Sequence, residues 1–533
     1  MRREHARTIV RESESPRVLA YERTRVRNMN SITLTGFDLN WENIRGVLYT
    51  LPKVSLSPKA KEEMEKSRRI IEERASGKEP IYGINTGFGK LTTTRISPKD
   101  LEALQENLIH SHAVGVGEPL SEPISRLSLF LRANVLAQGY SGVRSELVQF
   151  LCELINKGIT PVIPSQGSVG ASGDLAPLAH MAKVLIGEGE VWFQGERHKT
   201  ASVFEKIGLQ KLSLATKEGI SLVNGTQVSL AIACDVLLRA ERLIKLADMI
   251  GALSVEGNLA SFAPFDERLV KTRPYSGFLK TASNLRKMFL GSEMNLSHKN
   301  CERVQDPYSF RCIPQVHGTV KESYHFVEKL LATELNATTD NPLVFSETGT
   351  ILSGGNFHGE PIALAMDTLT MAMAELGSIS ERRVAVLIDP NFLIPNPGVQ
   401  SGFMIPHVVM SALVSENKTL SHPASVDTIP TSAGQEDHVS MSCWASLKAK
   451  KVVANIEKIL GVELLAACQA IDLNANGNKP GKGTKAVHEY VRERLPFLKE
   501  DKHLSSQLEV AYKFVAEEIL IDVAEKTVGN LEI

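Results

Sequence analysis

The chain has 533 residues, more than one small hydrophobic core requires, and its length predicts roughly two to four domains. Hydrophobic residues make up 43% and charged residues 23% of the sequence, as in ordinary globular proteins, and no apolar run approaches the roughly 20 residues of a membrane-spanning helix. A formal net charge of −1 gives no general attraction to nucleic acid or to an anionic membrane, so we expect neither as a partner.

The first 28 residues differ in composition from the rest. They contain many arginines and four glutamates but no hydrophobic stretch, so they do not resemble a secretory signal. The sequence "MNSITLTG" from Met29 is typical of a natural protein start. We therefore predict that residues 1–28 are a disordered tail or a misassigned start.

Cysteine usage indicates a cytoplasmic protein. The six cysteines are scattered without a Cys-x-x-Cys pair, which favours free thiols over disulfides or a zinc site. They are Cys152, Cys234, Cys301, Cys312, Cys443 and Cys468.

Two segments of the first half have the apolar spacing of amphipathic helices. In "DLEALQENLIHSH" the residues Leu101, Leu104 and Leu108 share one face, and Asp100 precedes them as an N-cap. In "RSELVQFLCELINKG" apolar residues again recur every three or four positions, and Gly158 ends the helix.

The second half is dominated by long stretches rich in alanine, leucine and valine. Apolar residues occupy several faces of these stretches, which favours mutual burial in a large helical bundle. Their scarcity of polar surface also indicates buried contacts between subunits. The stretches span residues 228–253, 317–336, 361–387, 404–420 and 445–471.

Strand signals are few. Residues 190–200 and 342–354 each predict a small hairpin, turning at Gln-Gly and at Thr-Gly. We find no β-α-β alternation and expect no doubly wound sheet. The predicted fold class is mainly α, with an N-terminal α-rich domain that carries small hairpins (residues 29–222) and a long helical-bundle domain (residues 223–533).

The stretch "GSVGASGDLAPLAH" (167–180) has almost no side-chain bulk in its first half. It does not match a nucleophile elbow, a phosphate-binding loop or a dinucleotide fingerprint. One interpretation is a tight glycine turn before a helix, with Asp174 near the helix N-terminus. The other is a reactive backbone, in which the Gly173 nitrogen attacks the Ala171 carbonyl and Ser172 then loses water to leave an exocyclic methylene electrophile. The stretch alone does not decide between them.

The same stretch resembles the signature of the histidine and aromatic amino-acid ammonia-lyase family, whose members form a 4-methylidene-imidazol-5-one group (MIO) from Ala-Ser-Gly. The resemblance covers most of the chain from about residue 80 to 470. The other matching segments are "YGINTGFGKL" (82–91), "SHAVGVG" (111–117), "LVNGTQ" (222–227), "LSHKN" (296–300), "VQDPYSFRCIPQVHG" (304–318), "ATTDNPLVF" (337–345), "SGGNFHGEP" (353–361), "SERR" (380–383), "SENKTLSHPASVD" (415–427) and "GQEDHVSM" (434–441).

The resemblance implies a fumarase/aspartase-like helical fold and an MIO group that forms autocatalytically from Ala171-Ser172-Gly173 without a dissociable cofactor. It places this loop in the N-terminal domain and assigns assembly to the bundle. It also implies a homotetramer whose active sites draw residues from three subunits.

Individual residues take roles from the resemblance. Tyr82 corresponds to the mobile catalytic tyrosine, a base for the β-proton, and Tyr308 to the second active-site tyrosine. Arg311 is suited to a bidentate pair with the substrate carboxylate. The other residues implied to line the site are Asn224, Gln305 and Phe357. Taken alone, Tyr82 could instead anchor its loop, and Phe357 could belong to the core.

Two positions bear on the substrate. After the Gln-x-Asn-Leu segment, phenylalanine enzymes of the family tend to carry Phe-Leu and tyrosine enzymes His-Leu. This chain has Ser111-His112, as the histidine enzymes and some tyrosine aminomutases do. Glu436 can hydrogen-bond an imidazole and steady its charge or tautomer. Both features favour L-histidine, converted to trans-urocanate and ammonia in the opening step of histidine breakdown, over a tyrosine or phenylalanine lyase or aminomutase.

Other classes fit less well. The fumarase and argininosuccinate-lyase type is also a helical tetramer with shared sites, but its "GSSxMPxKxN" loop is missing from this sequence. A non-catalytic scaffold would not need two tyrosines, a serine and an arginine in these motifs. A catalytic metal is not expected, because there is no His-Glu-x-x-His motif and His110 and His112 would lie on different helix faces.

Overall fold

The computed structural model describes residues 29–75, 77, 79–87, 95–297 and 303–533. The predicted tail of residues 1–28 lies outside the described residues, as do Cys301 and parts of the motifs at 82–91 and 296–300.

A small β-α-β unit begins the described chain. Strands β1 (Ser31–Leu34) and β2 (Lys53–Leu56) pair in parallel, and helix α1 (Trp41–Tyr49) connects them. Asn40 caps α1 through reciprocal hydrogen bonds with Asn43. The expectation of no β-α-β alternation is therefore wrong at this point, because strands of four residues carry too little periodicity to recognise. The described strands form sheets of only two or three strands, and none is doubly wound.

The remaining strands form small antiparallel pairs between helices. β3 pairs with β5, β6 lies between β4 and β7, and β8 pairs with β9. Their bounds are β3 (Val116–Pro119), β4 (Thr160–Pro161), β5 (Pro164–Gln166), β6 (Glu190–Phe193), β7 (Glu196–Lys199), β8 (Leu343–Phe345) and β9 (Thr350–Leu352). Both predicted hairpins are confirmed, since the turns contain Gln194-Gly195 and Gly349 with positive φ.

Shorter helices build the part of the chain before residue 224. They are α2 (Pro58–Ala75), α3 (Leu101–His112), α4 (Glu122–Ala137), α5 (Ser145–Asn156), α6 (Leu175–Leu185), α7 (Thr200–Ile207) and α8 (Glu218–Val223). The predicted domain boundary at residues 222–223 falls at the end of α8. The division into two domains stays a prediction.

Long helices form the second part, as predicted from the alanine-rich stretches. The longest are α9 (Gln227–Gly257), α14 (Ile313–Glu334), α15 (Glu360–Leu387), α16 (Met404–Leu420) and α17 (Ser442–Asn474). Helix α17 packs along α9 and α15, and α15 also contacts α14 and α16. The shorter helices are α10 (Glu267–Lys271), α11 (Ser276–Met288), α12 (Glu293–Ser297), α13 (Tyr308–Arg311), α18 (Lys482–Arg492), α19 (Ser505–Ala516) and α20 (Ile519–Val528). The predicted mainly α fold is confirmed.

Helix α15 is long and apolar enough to cross a membrane by length and composition alone, with a mean hydropathy of 1.3 over 18 residues. However, 61% of that window is buried against the neighbouring helices of the bundle. This environment is that of a core helix in a folded bundle.

Candidate active site

A cavity of about 970 Å³ lies beside the bare stretch at 167–180. Its wall combines the end of α3, the turn before α6, the end of α8, and the loops before α15 and α17. Seven of the residues predicted for the site line it: Tyr82, His112, Ala171, Ser172, Asn224, Phe357 and Glu436.

The turn before α6 is compressed against a second backbone segment. Gly173 has a φ of +74° and forms a β-bridge with Gly225. A Cβ atom added to Gly173 would lie 2.0 Å from the Gly225 carbonyl oxygen, so only glycine fits. The Asp174 N–H donates to the same carbonyl oxygen at 2.7 Å. The absence of side chains in this stretch is thus required by close backbone packing.

Asp174 anchors the turn to the bundle. It stands at the N-cap position of α6 but makes no capping hydrogen bond. Instead its buried carboxylate accepts hydrogen bonds from the N–H and Oγ of Ser229, at 2.7 and 2.6 Å, and from Ser168 Oγ at 2.7 Å. Burial raises the pKa of Asp174, and these donors oppose that shift.

The other side of the turn is held by the segment before α17. The Ser440 hydroxyl donates to the Gly170 carbonyl oxygen at 2.9 Å, and the Met441 N–H donates to the Val169 carbonyl oxygen at 2.8 Å. The three residues between Gly170 and Asp174 are therefore fixed at both ends.

Ser172 meets a carboxylate from a distant part of the chain. Its Oγ donates to Glu436 Oε1 at 2.8 Å, and Thr431 Oγ1 donates to Glu436 Oε2 at 2.6 Å. Burial alone would raise the pKa of Glu436, but hydrogen bonds from Thr431 and Ser172 and the nearby His112 lower it below 4.5. Glu436 is thus an ionised hydrogen-bond acceptor in the cavity.

His112 is a second acceptor on the same wall. Ser111 Oγ donates to the Leu108 carbonyl oxygen at 3.1 Å and lies 2.9 Å from His112 Nδ1. When the Ser111 hydroxyl donates to Leu108, the contact with Ser111 is satisfied by the His112 tautomer that carries its proton on Nδ1 and accepts at Nε2. Burial lowers the pKa of His112, although the Leu108 carbonyl and Glu436 oppose the shift, so the ring is neutral above its ordinary pKa of 6.5.

Asn224 ends α8 and is 3% exposed. Its Nδ2 donates to the Asn341 carbonyl oxygen at 3.1 Å. Its buried Oδ1 has no hydrogen-bond partner within the described parts of the chain. Half-buried Tyr82 and Phe357 also line the cavity.

Three predicted site residues lie elsewhere. Tyr308 is 71% exposed on α13, and Gln305 is exposed in the preceding loop. The Arg311 guanidinium lies over the Tyr308 ring, 4.5 Å from its centroid. Tyr308 faces a separate groove between α13 and α15. Within one chain, none of the three lines the cavity of Ser172.

The structure adds wall residues that were not singled out from the sequence. They include Asn107, Ile220, Asn341, Ser353 and His438. Most of them flank or belong to the quoted motifs, which is the signal that could have identified them. Across the residues placed by the structure, no group of three His, Cys, Asp or Glu side chains could hold a metal ion.

Comparisons with known proteins show the family to which this chain belongs. The family model for aromatic amino acid lyases matches residues 39–493. A histidine ammonia-lyase from Natranaerobius thermophilus is 45% identical over 94% of this chain and 100% of its own length. Another from Myxococcus xanthus is 48% identical over 91% of this chain and 96% of its own length.

Solved structures give the same result for the fold. The crystal structure of histidine ammonia-lyase from Trypanosoma cruzi matches with a TM-score of 0.85 and 39% identity, covering 93% of this chain and 95% of that one. Tyrosine aminomutase from Streptomyces globisporus matches with a TM-score of 0.88 and 34% identity, covering 94% and 100%. The chain belongs to the aromatic amino acid lyase family, as its motifs predicted.

Proposed function

We propose that the protein is a histidine ammonia-lyase, which converts L-histidine to trans-urocanate and ammonia without oxidation. The observation that carries the proposal is the 2.8 Å hydrogen bond between Ser172 and Glu436. It joins the serine of the Ala-Ser-Gly turn to the carboxylate suited to an imidazole. The names of the curated relatives support the same substrate.

The residues present fit an MIO group formed from Ala171, Ser172 and Gly173. The turn leaves no room for a side chain at Gly173, and the unpartnered Asn224 Oδ1 is available beside it. The group would supply an electrophile that takes up the substrate amine. Because it forms from the chain itself, no dissociable cofactor is proposed.

Glu436 and His112 select the side chain of the substrate. The carboxylate and the neutral Nε2 are both acceptors, so the ligand between them must bring N–H or O–H donors. An imidazole brings one N–H when it is neutral and two when it is protonated, whereas a phenyl ring brings none and would leave the half-buried acceptors unpaired. The phenol of tyrosine brings a single O–H. Histidine therefore fits this wall better than either aromatic amino acid.

Tyr82 is proposed as the base that receives the β-proton. It lines the same cavity as Ser172, and a tyrosine at this place can take a proton from Cβ while the amine departs. Phe357 lines the same cavity, and its apolar ring helps to exclude water.

A homotetramer would complete each site. Tyr308, Arg311 and Gln305 lie away from the cavity of their own chain; Tyr308 and Gln305 are exposed, and half-buried Arg311 packs on the Tyr308 ring. Arg311 would then bind the substrate carboxylate of a neighbouring site. Helices α15 and α16 also expose apolar side chains of the kind that subunit contacts bury: Leu364, Met371, Ile405 and Val408. We place this assembly in the cytoplasm, in agreement with the free cysteines of the described chain.

The test compares ammonia release from L-histidine, L-phenylalanine and L-tyrosine with the intact mass of the chain. The wild type should act on histidine and weigh two water molecules less than its sequence, one lost in cyclisation and one from Ser172. Ser172→Ala should be inactive, while the control Ser202→Ala, at an exposed position in α7, should match the wild type. Activity of Ser172→Ala, or no release from histidine by the wild type, would contradict the proposal.

A further inference from the structure

A fully buried ion pair lies directly behind the cavity wall, outside the proposed chemistry. Lys217 Nζ donates to Asp340 Oδ2 at 3.1 Å, and both side chains are 0% exposed. Ser221 lies between them, receiving a hydrogen bond from Lys217 Nζ at 2.9 Å and donating to Asp340 Oδ2 at 3.0 Å.

Asp340 and the next residue connect two walls of the cavity. The Asn341 carbonyl oxygen accepts from Asn224 Nδ2, and Asn341 Oδ1 accepts from the Gly354 N–H at 2.7 Å and the Ser353 hydroxyl at 3.1 Å. Asn341 itself and these three partners all line the cavity. A shift of Asp340 would therefore move the contact that orients Asn224.

Lys217 controls the same contact from the other end of α8. It precedes this six-residue helix with a left-handed φ of +70°, and Asn224 follows the last helical residue. The strained backbone of a non-glycine residue persists only where surrounding contacts determine it. The bond to Asp340 is such a contact, and it fixes the direction in which α8 delivers Asn224 and Gly225.

Arg132 is a second buried cation in contact with this cluster. Arg132 donates to Gln227 Oε1 at 2.7 Å, to the Thr339 carbonyl oxygen at 3.2 Å and to the Ser221 carbonyl oxygen. It lies so close to Gly225 that an added Cβ there would be 2.2 Å from Arg132 Nη1. Gly225 in turn contacts Gly173, so the ionic cluster supports the reactive turn through one residue.

A buried ion pair is poor evidence for stability, since apolar residues of equal volume often stabilise a fold as well. What this ion pair contributes is the orientation of α8 and of the residues that follow it. We infer that Lys217 and Asp340 are positioning residues that hold Asn224 and Gly225 against the Ala171-Ser172-Gly173 turn, and thereby set both the maturation of that turn and kcat. The inference rests on the proposed function.

The test is the double variant Lys217→Met/Asp340→Asn, which removes one positive and one negative charge and leaves Arg132 as the remaining buried cation, so the net charge of the cluster does not change. Its matched control is Lys321→Met/Asp248→Asn, at a Lys–Asp pair that is also 0% exposed, joins α14 to α9 and does not line the cavity. Intact mass, kcat, KM and the melting temperature are measured for both. Ser221→Ala is a milder variant that removes only the hydroxyl between the two charges.

We expect most chains of the Lys217→Met/Asp340→Asn protein to retain the mass of unprocessed Ser172. In the processed fraction we expect kcat to fall about 100-fold with little change in KM. Ser221→Ala should lose about tenfold in kcat. The control should melt at a lower temperature yet process its turn fully and keep its kcat.

Full processing with wild-type kcat, in the double variant or, if that does not fold, in Ser221→Ala, overturns the inference. An equal loss of processing and kcat in the control overturns it as well. Failure of the proposed function gives a different result, because the wild type itself would then keep its full mass or not act on histidine.

Discussion

The immediate neighbours of Glu436 keep its carboxylate ionised. It is only partly exposed, and burial by itself would favour the protonated acid. Two hydroxyl donors, Ser172 and Thr431, point at its two oxygens and stabilise the carboxylate. The wall of the cavity thus keeps an anion at the place where the proposed substrate brings a positive or polar ring.

Replacing this carboxylate by an amide should lower activity without moving the pH optimum. Because the pKa of Glu436 lies below 4.5, the group is ionised at all higher pH and does not titrate between about pH 6 and pH 9. Glu436→Gln should reduce kcat/KM for histidine about 10- to 100-fold, through loss of a charged hydrogen bond. The measurement is kcat/KM for histidine across this pH range.

The exposed Glu196→Gln on β7 is the control and should match the wild type. A change in the shape of the Glu436→Gln profile within that range would show that Glu436 titrates there, contrary to its environment.

Motifs identified Ser172, His112 and Glu436 from the sequence because each sits in a dense local pattern. The partners of these residues were not predictable in the same way. Asp174, for example, was expected near a helix N-terminus, but the sequence did not indicate that its hydrogen bonds go to Ser168 and Ser229. Such partners depend on how α6 and α9 pack, which local spacing does not encode.

At the scale of elements, helices α11 and α14 meet at two glycines. An added Cβ on Gly277 would lie 2.1 Å from the Gly318 carbonyl oxygen, and one on Gly318 would lie 2.5 Å from the Phe278 ring. The small residues therefore set the distance between the two helices.

Gly318→Ala should destabilise the protein although alanine favours helix. The gain of about 1 kcal/mol in helix propensity is opposed by overpacking, which costs about 1–3 kcal/mol. Gly251→Ala is the matched control, since it also lies within a long helix but its nearest atoms are 3.6 Å away. Thermal unfolding should show a lower melting temperature for Gly318→Ala and an unchanged or higher one for Gly251→Ala. Equal stability of the two variants would contradict the packing argument.

Helix existence was predictable and helix ends were less so. The spacing in α3 and α5 identified both helices, and Gly158 does end α5 with a φ of +66°. Asp100 occupies the N-cap position of α3 but makes no capping bond with its side chain. Helix α14 starts at Ile313, earlier than predicted, because Pro314 is accepted in a first turn where its missing N–H is not needed.

At the scale of the whole molecule, the single chain separates the predicted site residues into two groups. One group surrounds Ser172, and the other lies around α13, where Tyr308 and Gln305 are exposed and Arg311 is half-buried. Sequence spacing could not reveal this separation, because residues of one motif set belong to different copies of the chain in the proposed tetramer. Only the family resemblance pointed to shared sites.

Two variants that are each inactive alone should therefore recover part of the activity when they are co-expressed. Co-expressed Ser172→Ala and Arg311→Met chains should form some sites that combine an intact Ser172 cavity with an intact Arg311 from a neighbour. In a random equal mixture, half the sites have the first and half of those have the second, so about one quarter of wild-type activity is expected. Ammonia release from histidine by the purified mixture measures it.

The control mixture combines Ser172→Ala with Glu436→Gln. Ser172 and Glu436 line the same cavity of one chain, so every site lacks one of them. This mixture should not exceed the activity of the Glu436→Gln chains it contains. Equal recovery in both mixtures would contradict shared sites.

The Ser172–Glu436 hydrogen bond also implies that processing of Ser172 precedes substrate binding at Glu436. In the unprocessed chain the serine hydroxyl occupies the carboxylate oxygen that the proposed reaction offers to an imidazole. Loss of that hydroxyl as water, in the proposed formation of the MIO group, would vacate the oxygen at the same moment. Affinity for the amino acid and reactivity toward it would then appear together. Until Ser172 is processed, its own hydroxyl would block the Glu436 oxygen from the substrate.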